Sequence, residues 1–508
     1  MRPTFLGFEA SKTALYATQK ALDITGNNLA NISSEGYTRQ RVDQVSMGYY
    51  CYGTKYNINA RTHLAGMGTN VLGISQTRDK LLDNAFREQY SEVGDYSQRN
   101  KMLTDIESVI QELDIGTDGN GYGLRYAIEE MYTSLQDLSV NASSITDANV
   151  VVSAFSNFAT TMRQMSTALE EKCEQYRQEL EIDVQTVNSI LEKLTVLNRD
   201  IKRAIVAGGY TEEYGPNELL DERNLLLDEL SAFGEVGVKY NADGTADVSL
   251  AGRVVVKDEV CEKLDFSRNT DGTVSVRWHN DGSNAGLGLG IITASTEIIN
   301  GRGNGVISTN ESSVMGFRYY KDRLDELASR IADVCNNTIP SEVDENGNIV
   351  SYVKFFGAQM TNENGETEVF TDMYISSDNI RLMDNIKDDA TNILTNDGVT
   401  KDNKYILELI SNLSTSKIAF TNGEATFEDY ITGYLTNVGN DITYYNTRSE
   451  SAQTFSEELL NTRESVTGVS ENEETVNMLT YNRAYQAAAR MMTVMDELLD
   501  VLINQMGV

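Results

Sequence analysis

The side chains that could carry chemistry are few and scattered. Two histidines, His63 and His279, occur in 508 residues, together with four cysteines, Cys51, Cys173, Cys261 and Cys335. No C-x-x-C spacing is present, so neither a zinc site nor a thiol–disulfide motif has local support. With two histidines far apart in the chain, no Ser–His–Asp or Cys–His relay can be assembled from the pattern. Gly286, Gly288 and Gly290 form a G-L-G-L-G run in a strand-like context without the G-x-G-x-x-G start of a phosphate-binding helix, and a strand under close backbone approach is expected there. Asp344, Asn346 and Asn348 resemble the start of a calcium loop. Ile349 stands where that loop needs glycine and no glutamate follows at the twelfth position, so a polar hairpin turn is expected, as at Asp118–Gly121. Glu170 and Glu171 suit a solvated helix face. No catalytic residue, cofactor-binding residue or metal ligand is predicted, no cofactor is implied, and the chain is read as a non-enzyme.

The elements tell more than the functional groups. Near the start, Leu15, Leu22 and Leu29 recur every seven residues beside a small-residue stripe of Ala10, Ala14, Ala17 and Ala21. The helix they predict should stop at Asn31 and the Ser33-Ser34-Glu35-Gly36 breaker. Near the end, Met478, Tyr481, Tyr485, Ala488, Met492, Met495, Leu499 and Leu502 keep a 3-4 spacing, the pattern of a coiled-coil seam. Ala484, Ala487, Met491, Val494, Leu498 and Val501 form a second apolar stripe on the same helix. A helix with two such stripes needs more than one partner. Ser470 and Glu473 form a capping box that sets its start, and Glu471, Glu473 and Glu474 suit the positive end of its dipole. We expect Met492 and Met495 to pack on the Leu15–Leu22–Leu29 stripe, the second stripe to meet neighbouring subunits, and both terminal segments to fray in a free monomer.

Further helices are expected along Tyr96–Leu113, Leu169–Ile201 and Phe317–Val334. Cys173 and Cys335 read as small core residues of such helices. Residues 235–298 change character: Ala246–Leu250 and Val274–Trp278 alternate with period two and are bounded by turns. The fold class expected is mainly α with an inserted β domain: terminal coiled-coil helices, an elongated helical-bundle rod and an outer β-rich domain. The boundaries expected are 1–45 with 468–508 for the terminal part, 46–232 with 299–340 and 428–467 for the rod, and 233–298 for the outer β domain. Residues 341–427 are mixed.

The net charge of −34 repels phosphate backbones and anionic membranes, so neither nucleic acid nor membrane is an expected partner. The charge is uneven. Residues 1–45 carry +1 and residues 471–508 carry −4, leaving the middle to hold the repulsion. No apolar run is long enough to span a bilayer, and the first residues lack a cleavable signal pattern.

Asn28-Leu29-Ala30-Asn31, followed by Gly36-Tyr37-Thr38-Arg39-Gln40, resembles the N-terminal signature of flagellar rod, hook and hook-associated proteins. Its G-Y-T-R-Q ending is similar to the FlgK family of hook-associated proteins. Tyr481–Asn504 resembles the matching C-terminal tail. Two internal stretches also resemble FlgK segments: Asn217–Arg223 with Leu226–Ser231, and Arg463–Val469 with Glu473-Glu474. The Ser470-Glu471-Asn472 run departs from the family's usual N-L-D.

The resemblance implies a structural adaptor of the bacterial flagellum that joins hook to filament and is required for filament assembly. It implies terminal helices forming an inner tube, a helical domain around it and a β domain facing outward. The partners implied are other copies of the chain in a ring or helical turn, the flagellar hook protein, a second junction protein or flagellin, and an export chaperone. The location implied is extracellular, after type III export. The alternatives weighed are a hook or rod protein, and a secreted enzyme or adhesin domain on a flagellar scaffold. The loose match over 235–298 suggests a segment that could be looped out without loss of assembly.

Overall fold

The computed structural model describes residues 6–47, 68–110, 123–208, 214–343, 349–361, 367–394, 403–421 and 423–505. Cys51, His63, Leu113, the Asp118–Gly121 turn and the Asp344–Asn348 turn lie outside the described residues. Among the described residues 64% are helical. It begins with α1 (Leu6–Ala30), a ribbon of β1 (Gln40–Ser46) and β2 (Thr69–Gln76), and four helices: α2 (Lys80–Ile110), α3 (Leu124–Val140), α4 (Ile145–Gly208) and α5 (Asn217–Ser231). An antiparallel meander follows, made of β3 (Val236–Tyr240), β4 (Ala246–Leu250), β5 (Arg253–Lys257) and β6 (Val260–Cys261), with a separate ribbon of β7 (Leu264–Arg268) and β8 (Val274–Trp278). Next come α6 (Ile291–Ile299) and α7 (Phe317–Asn336), and then small sheets from β9 (Pro340–Val343), β10 (Ile349–Tyr352), β11 (Phe356–Thr361), β12 (Thr367–Phe370) and β13 (Ile380–Leu382). After α8 (Asp384–Asp388), α9 (Lys404–Ser414), β14 (Ile418–Phe420) and β15 (Gly423–Ala425), the chain closes with α10 (Phe427–Thr467) and α11 (Glu471–Asp500).

The spine is α4, 64 residues or about 95 Å of uninterrupted helix. Its apolar positions recur at 3-4 spacing. Leu169, Cys173, Tyr176, Leu180, Val187, Ile190, Leu194, Leu197 and Ile201 are all buried, as the periodicity predicts. Burial pushes the Cys173 thiol up to about 12 and the Cys335 thiol upward as well, so both behave as packing groups. The stretch 233–298 does not stand apart from this spine. Val248, Leu250, Val256, Leu264, Val276 and Trp278 belong to the same contiguous core as α4, so deleting the segment would strip apolar surface from the spine. The expectation that it could be looped out is corrected on that ground. Nor is G-L-G-L-G a strand: it is irregular chain leading into α6, with Leu287 buried. Close approach does hold at Gly290, where a Cβ would meet the backbone of Phe233 and Gly234.

Helices and strands are joined by one recurrent device. An antiparallel strand edge offers one residue's N–H and C=O together, and an asparagine amide can take both. Asn198 of α4 donates to Ala246 O at 2.9 Å and accepts from Ala246 N at 3.0 Å. Asn188 of α4 holds Leu264 in the same way, both bonds 2.8 Å. Asn300, just past α6, holds Val274 at 2.7 and 2.8 Å, and Asn336 at the end of α7 holds Phe356 at 2.8 and 2.9 Å. Burying an edge strand against a helix leaves no water to satisfy that pair, so the clip removes a cost of a few kcal/mol.

Two consequences can be measured. Asn198→Ala strands one buried N–H and one buried C=O on β4, and it should cost about 2–4 kcal/mol in a denaturant titration; Asn198→Asp, which keeps the acceptor but sets a buried carboxyl against the carbonyls of Ala246 and Asp258, should cost at least as much. The second concerns Asp183 of α4, which is half-buried beside the buried Val184. Burial, aided by the charge of Glu179, raises its carboxyl from 3.8 to about 6. The native state then binds the proton more tightly than the unfolded chain, so this contribution to stability is full below about pH 4 and lost as pH rises through about 6. Asp183→Asn should therefore gain on the parent by ~1 kcal/mol, partly screened, between pH 4 and pH 7, read as a widening difference in melting temperature.

Candidate assembly site

The residues singled out by the sequence signature meet at one place, where the terminal helices join the body. α1 ends at Ala30 and the chain turns back through Gly36, whose φ of +76° is open to glycine and costly for other residues. Leu225 of α5 packs on it. The return strand then packs on α1 and reaches the start of α11 through Arg39. Asn28, 1% exposed, donates to Gln40 O at 2.9 Å and accepts from Gln40 N at 3.0 Å, the same clip used in the body. The Tyr37 hydroxyl donates to Asn28 Oδ1 at 2.8 Å and accepts from Asn27 at 3.3 Å. Burial, reinforced by the carboxylates of Asp221, Glu218 and Glu474, pushes the Tyr37 phenol up to about 12, which keeps it a neutral donor. Asn31 closes the turn on Asn27.

Two cation–carboxylate contacts tie this clip outward. Arg39 Nε and Nη2 reach Glu474 Oε1 at 3.0 and 2.7 Å, and Nη1 reaches Glu473 at 2.8 Å. Burial alone would lower the Arg39 pKa, but the hydrogen bonds and charges of Glu474 and then Glu473 outweigh it, and the group stays charged. Asn28 Nδ2 also donates to Glu474 Oε2 at 3.2 Å. Toward the body, Thr38 N donates to Asp221 at 3.3 Å, Arg78 bonds Thr38 Oγ1 at 3.1 Å, and Gln76 bonds Asp221 at 2.8 Å. Burial raises the Asp221 carboxyl, and the bonds from Thr38 oppose the rise. Beneath lies a second tie. Asp228 of α5 accepts from Arg87 of α2 and Arg463 of α10, each at 2.7 Å, and the Arg463 guanidinium lies 4.1 Å from the Phe86 ring centre. Gly468, between α10 and α11, cannot carry a side chain: a Cβ would strike Glu464 O.

From this clasp α1 and α11 run antiparallel. Asn28 meets Glu474 at one end, and the Met495 methyl at the other end fills the place a Cβ on Gly7 would take. Met478, Tyr481, Ala488, Met492, Met495 and Leu499 are half-buried, while Tyr485 is 39% exposed. The Leu502 side chain lies outside the described residues. On α1, Leu15, Leu22 and Leu29 are half-buried, and the fully buried positions are instead Ser11, Ala17, Ala21, Ile24, Thr25 and Asn28. On this register Leu15 and Leu22 fall level with Ala488 and Tyr481. Met495 packs on Gly7, about two turns before Leu15, so the expected pairing of Met492 and Met495 with the leucine stripe is corrected. The antiparallel arrangement sets the two ends of that spacing against each other. The second stripe of α11 stays open: Met491 is 51%, Val494 48% and Leu498 58% exposed.

Sequence reasoning missed the acidic partners of the signature, Glu474, Asp221 and Asp228. Each sits in a segment whose resemblance was noted, but the pairings span between 141 and 446 positions and no local spacing encodes them. Other possible sites stay plain. His279 lies on the surface beside Asp265 at 2.9 Å. A cavity of about 720 Å³ beside the clasp has Arg78 and Arg223 in its wall, and these bond Asp83 and Gly244 O, respectively. Among the described residues no group of three His, Cys, Asp or Glu could hold a metal ion, and no helix is long and apolar enough to cross a membrane.

Comparison with known proteins places this joint in context. The family model "Flagella basal body rod protein" matches residues 8–38 and that for the "Flagellar basal body rod FlgEFG protein C-terminal" matches 464–506, the two halves of the clasp. The model for the "Flagellar hook-associated protein FlgK helical domain" matches 110–356. The chain is 30% identical to flagellar hook-associated protein 1 of Bacillus subtilis (strain 168), over 100% of this chain and 99% of the relative. The chain belongs to the flagellar hook-associated protein 1 (FlgK) family. Hook-associated protein 1 of Escherichia coli (strain K12) is 20% identical, with 97% of this chain and 98% of the relative covered. The solved flagellar hook junction protein FlgK from Burkholderia pseudomallei shares the fold, with a TM-score of 0.56 at 12% identity, covering 76% of this chain and 100% of that one. In this FlgK-family chain Arg39–Glu474 ties the two terminal segments to each other, Thr38–Asp221 ties them to the hook-associated body, and Arg463–Asp228 braces α10 on α5 just beneath.

The clip at Asn28 can be tested by removing its donors alone. Asn28→Asp leaves Gln40 O unpaired and sets a carboxylate against Glu474. It should speed hydrogen exchange over residues 36–42 roughly 30-fold, the equivalent of about 2 kcal/mol. Adding Glu474→Gln removes the repulsion and should recover part of the protection.

Proposed function

We propose that the chain is a structural subunit of the bacterial flagellum that joins hook to filament and works through packing, not catalysis. The observation that carries the reading is the open apolar stripe of α11. Met491, Val494 and Leu498 face away from α1 on a helix whose other face is already occupied, and a helix with a second apolar face is completed by another chain. The partners in this reading are further copies of the chain in a ring or helical turn, with a hook protein on one side and a second junction protein or flagellin on the other. An export chaperone serves it before assembly, and it acts outside the cell. Family membership supports the structural role. The match of the hook-associated helical domain over 110–356, where a rod or hook protein would differ, supports the junction over those alternatives. The parts in this reading are 1–45 with 468–508 for assembly, 46–232 with 299–340 and 428–467 for the body, and 233–298 carried on the body.

Leu498→Asp tests the stripe. In the lone subunit the position is open to water, so stability should change by no more than about 0.5 kcal/mol. Between subunits it would bury an unpaired carboxylate, at a cost of about 3–5 kcal/mol repeated in every copy. The purified variant should keep its circular dichroism and melting temperature, while cells producing it should carry hooks without filaments and release filament protein into the medium. Normal filaments would show that the stripe is not an interface.

A further inference from the structure

α11 carries two apolar stripes of similar character, and apolar contact alone does not decide which of them α1 takes. Hydrophobic seams are permissive about rotation and slip; a buried polar pair is not, because a misplaced register leaves it unsatisfied. Among the described residues Glu474 is the only buried side chain of α11, 2% exposed, and its bond to Asn28 is the only side-chain hydrogen bond between α1 and α11. It lies on the first turn, where Ser470 caps the helix by accepting from Glu473 N. The Thr467 carbonyl just before it accepts from Arg39 N at 2.9 Å. The first turn is the costly nucleus of a helix, and here it is fixed in azimuth as well as in position. A rotation of α11 by one residue, about 100°, would carry Glu474 away from both Asn28 and Arg39.

We propose that the Asn28–Arg39–Glu474 contact is a register key that fixes which apolar stripe of α11 packs on α1 and which is left open for a second copy. The proposal rests on the reading of the open stripe as an interface only in its last clause. The choice of inner stripe is a property of the single chain.

Disulfide trapping in the full-length monomer reads that choice. Gly7→Cys with Met495→Cys reports the inner register, and Gly7→Cys with Val494→Cys reports a rotated one; both are mapped by peptide mass spectrometry with the native cysteines left in place. In the parent the inner pair should form at least tenfold faster than the rotated pair. Glu474→Leu should bring the two rates to within about twofold while the circular dichroism is retained. Glu474→Gln, which keeps one acceptor oxygen for Arg39 but turns an amide NH2 toward Asn28, should restore part of the preference. A tenfold preference persisting in Glu474→Leu would overturn the proposal, as would no preference in the parent. Loss of α11 helicity in Glu474→Leu, with both rates falling together, would overturn it too, by making the contact a folding determinant without a register role. None of these readouts requires assembly, so failure of the interface reading would show instead as normal filaments on cells carrying Leu498→Asp.

Discussion

An asparagine amide that gives one hydrogen bond to a backbone carbonyl and takes one from the amide of the same residue does for a strand edge what a neighbouring strand would do. This chain uses that exchange at Asn28, Asn188, Asn198, Asn300 and Asn336. Each time it lets a helix lie directly on strand backbone with that residue's N–H and C=O both paired. The mixed architecture depends on it. Small ribbons and meanders are marginal alone, and here they are held to α1, α4, α6 and α7 by paired bonds as well as by apolar contact.

The terminal clasp extends the same logic to charge. Gln40 is clipped by Asn28, Asn28 is shared with Glu474, Glu474 is held by Arg39, and the adjoining Thr38 is held by Asp221. These groups are buried or half-buried, so each is satisfied only when the others are in place, and the joint closes as a unit. Beyond the clasp, α1 and α11 meet through small residues and half-buried methionines. Strong directional contacts at one end and an open apolar stripe along the rest suit a subunit that is finished by its neighbours.

How much of this was legible depended on range. Heptad spacing gave α1, α4, α7 and α11 because buried faces repeat at 3.6 residues whatever they touch. The Ser470 cap was readable because its partner, Glu473, is three residues away. The two stripes of α11 were separable, and the structure leaves the predicted outer one open. The leucine stripe of α1 misled because size was taken for burial. Where two helices pack tightly the seam goes to Ala17 and Ala21, which allow close approach, and Leu15, Leu22 and Leu29 flank it. Asn198 sits beside Leu197 in an apolar pattern and could have been flagged as a buried polar residue. That it holds Ala246 could not, because pairings across tens or hundreds of residues leave no local trace.

The central claim is that one polar clasp orients α11 and one apolar stripe of that helix is completed by another copy. A density map of the assembled hook–filament junction at side-chain resolution tests it most directly. The account requires Met491, Val494 and Leu498 to be buried against a neighbouring copy while Asn28, Gln40, Arg39 and Glu474 keep their contacts within each subunit. A map with that stripe facing solvent, or with Glu474 paired to a different subunit, would contradict it.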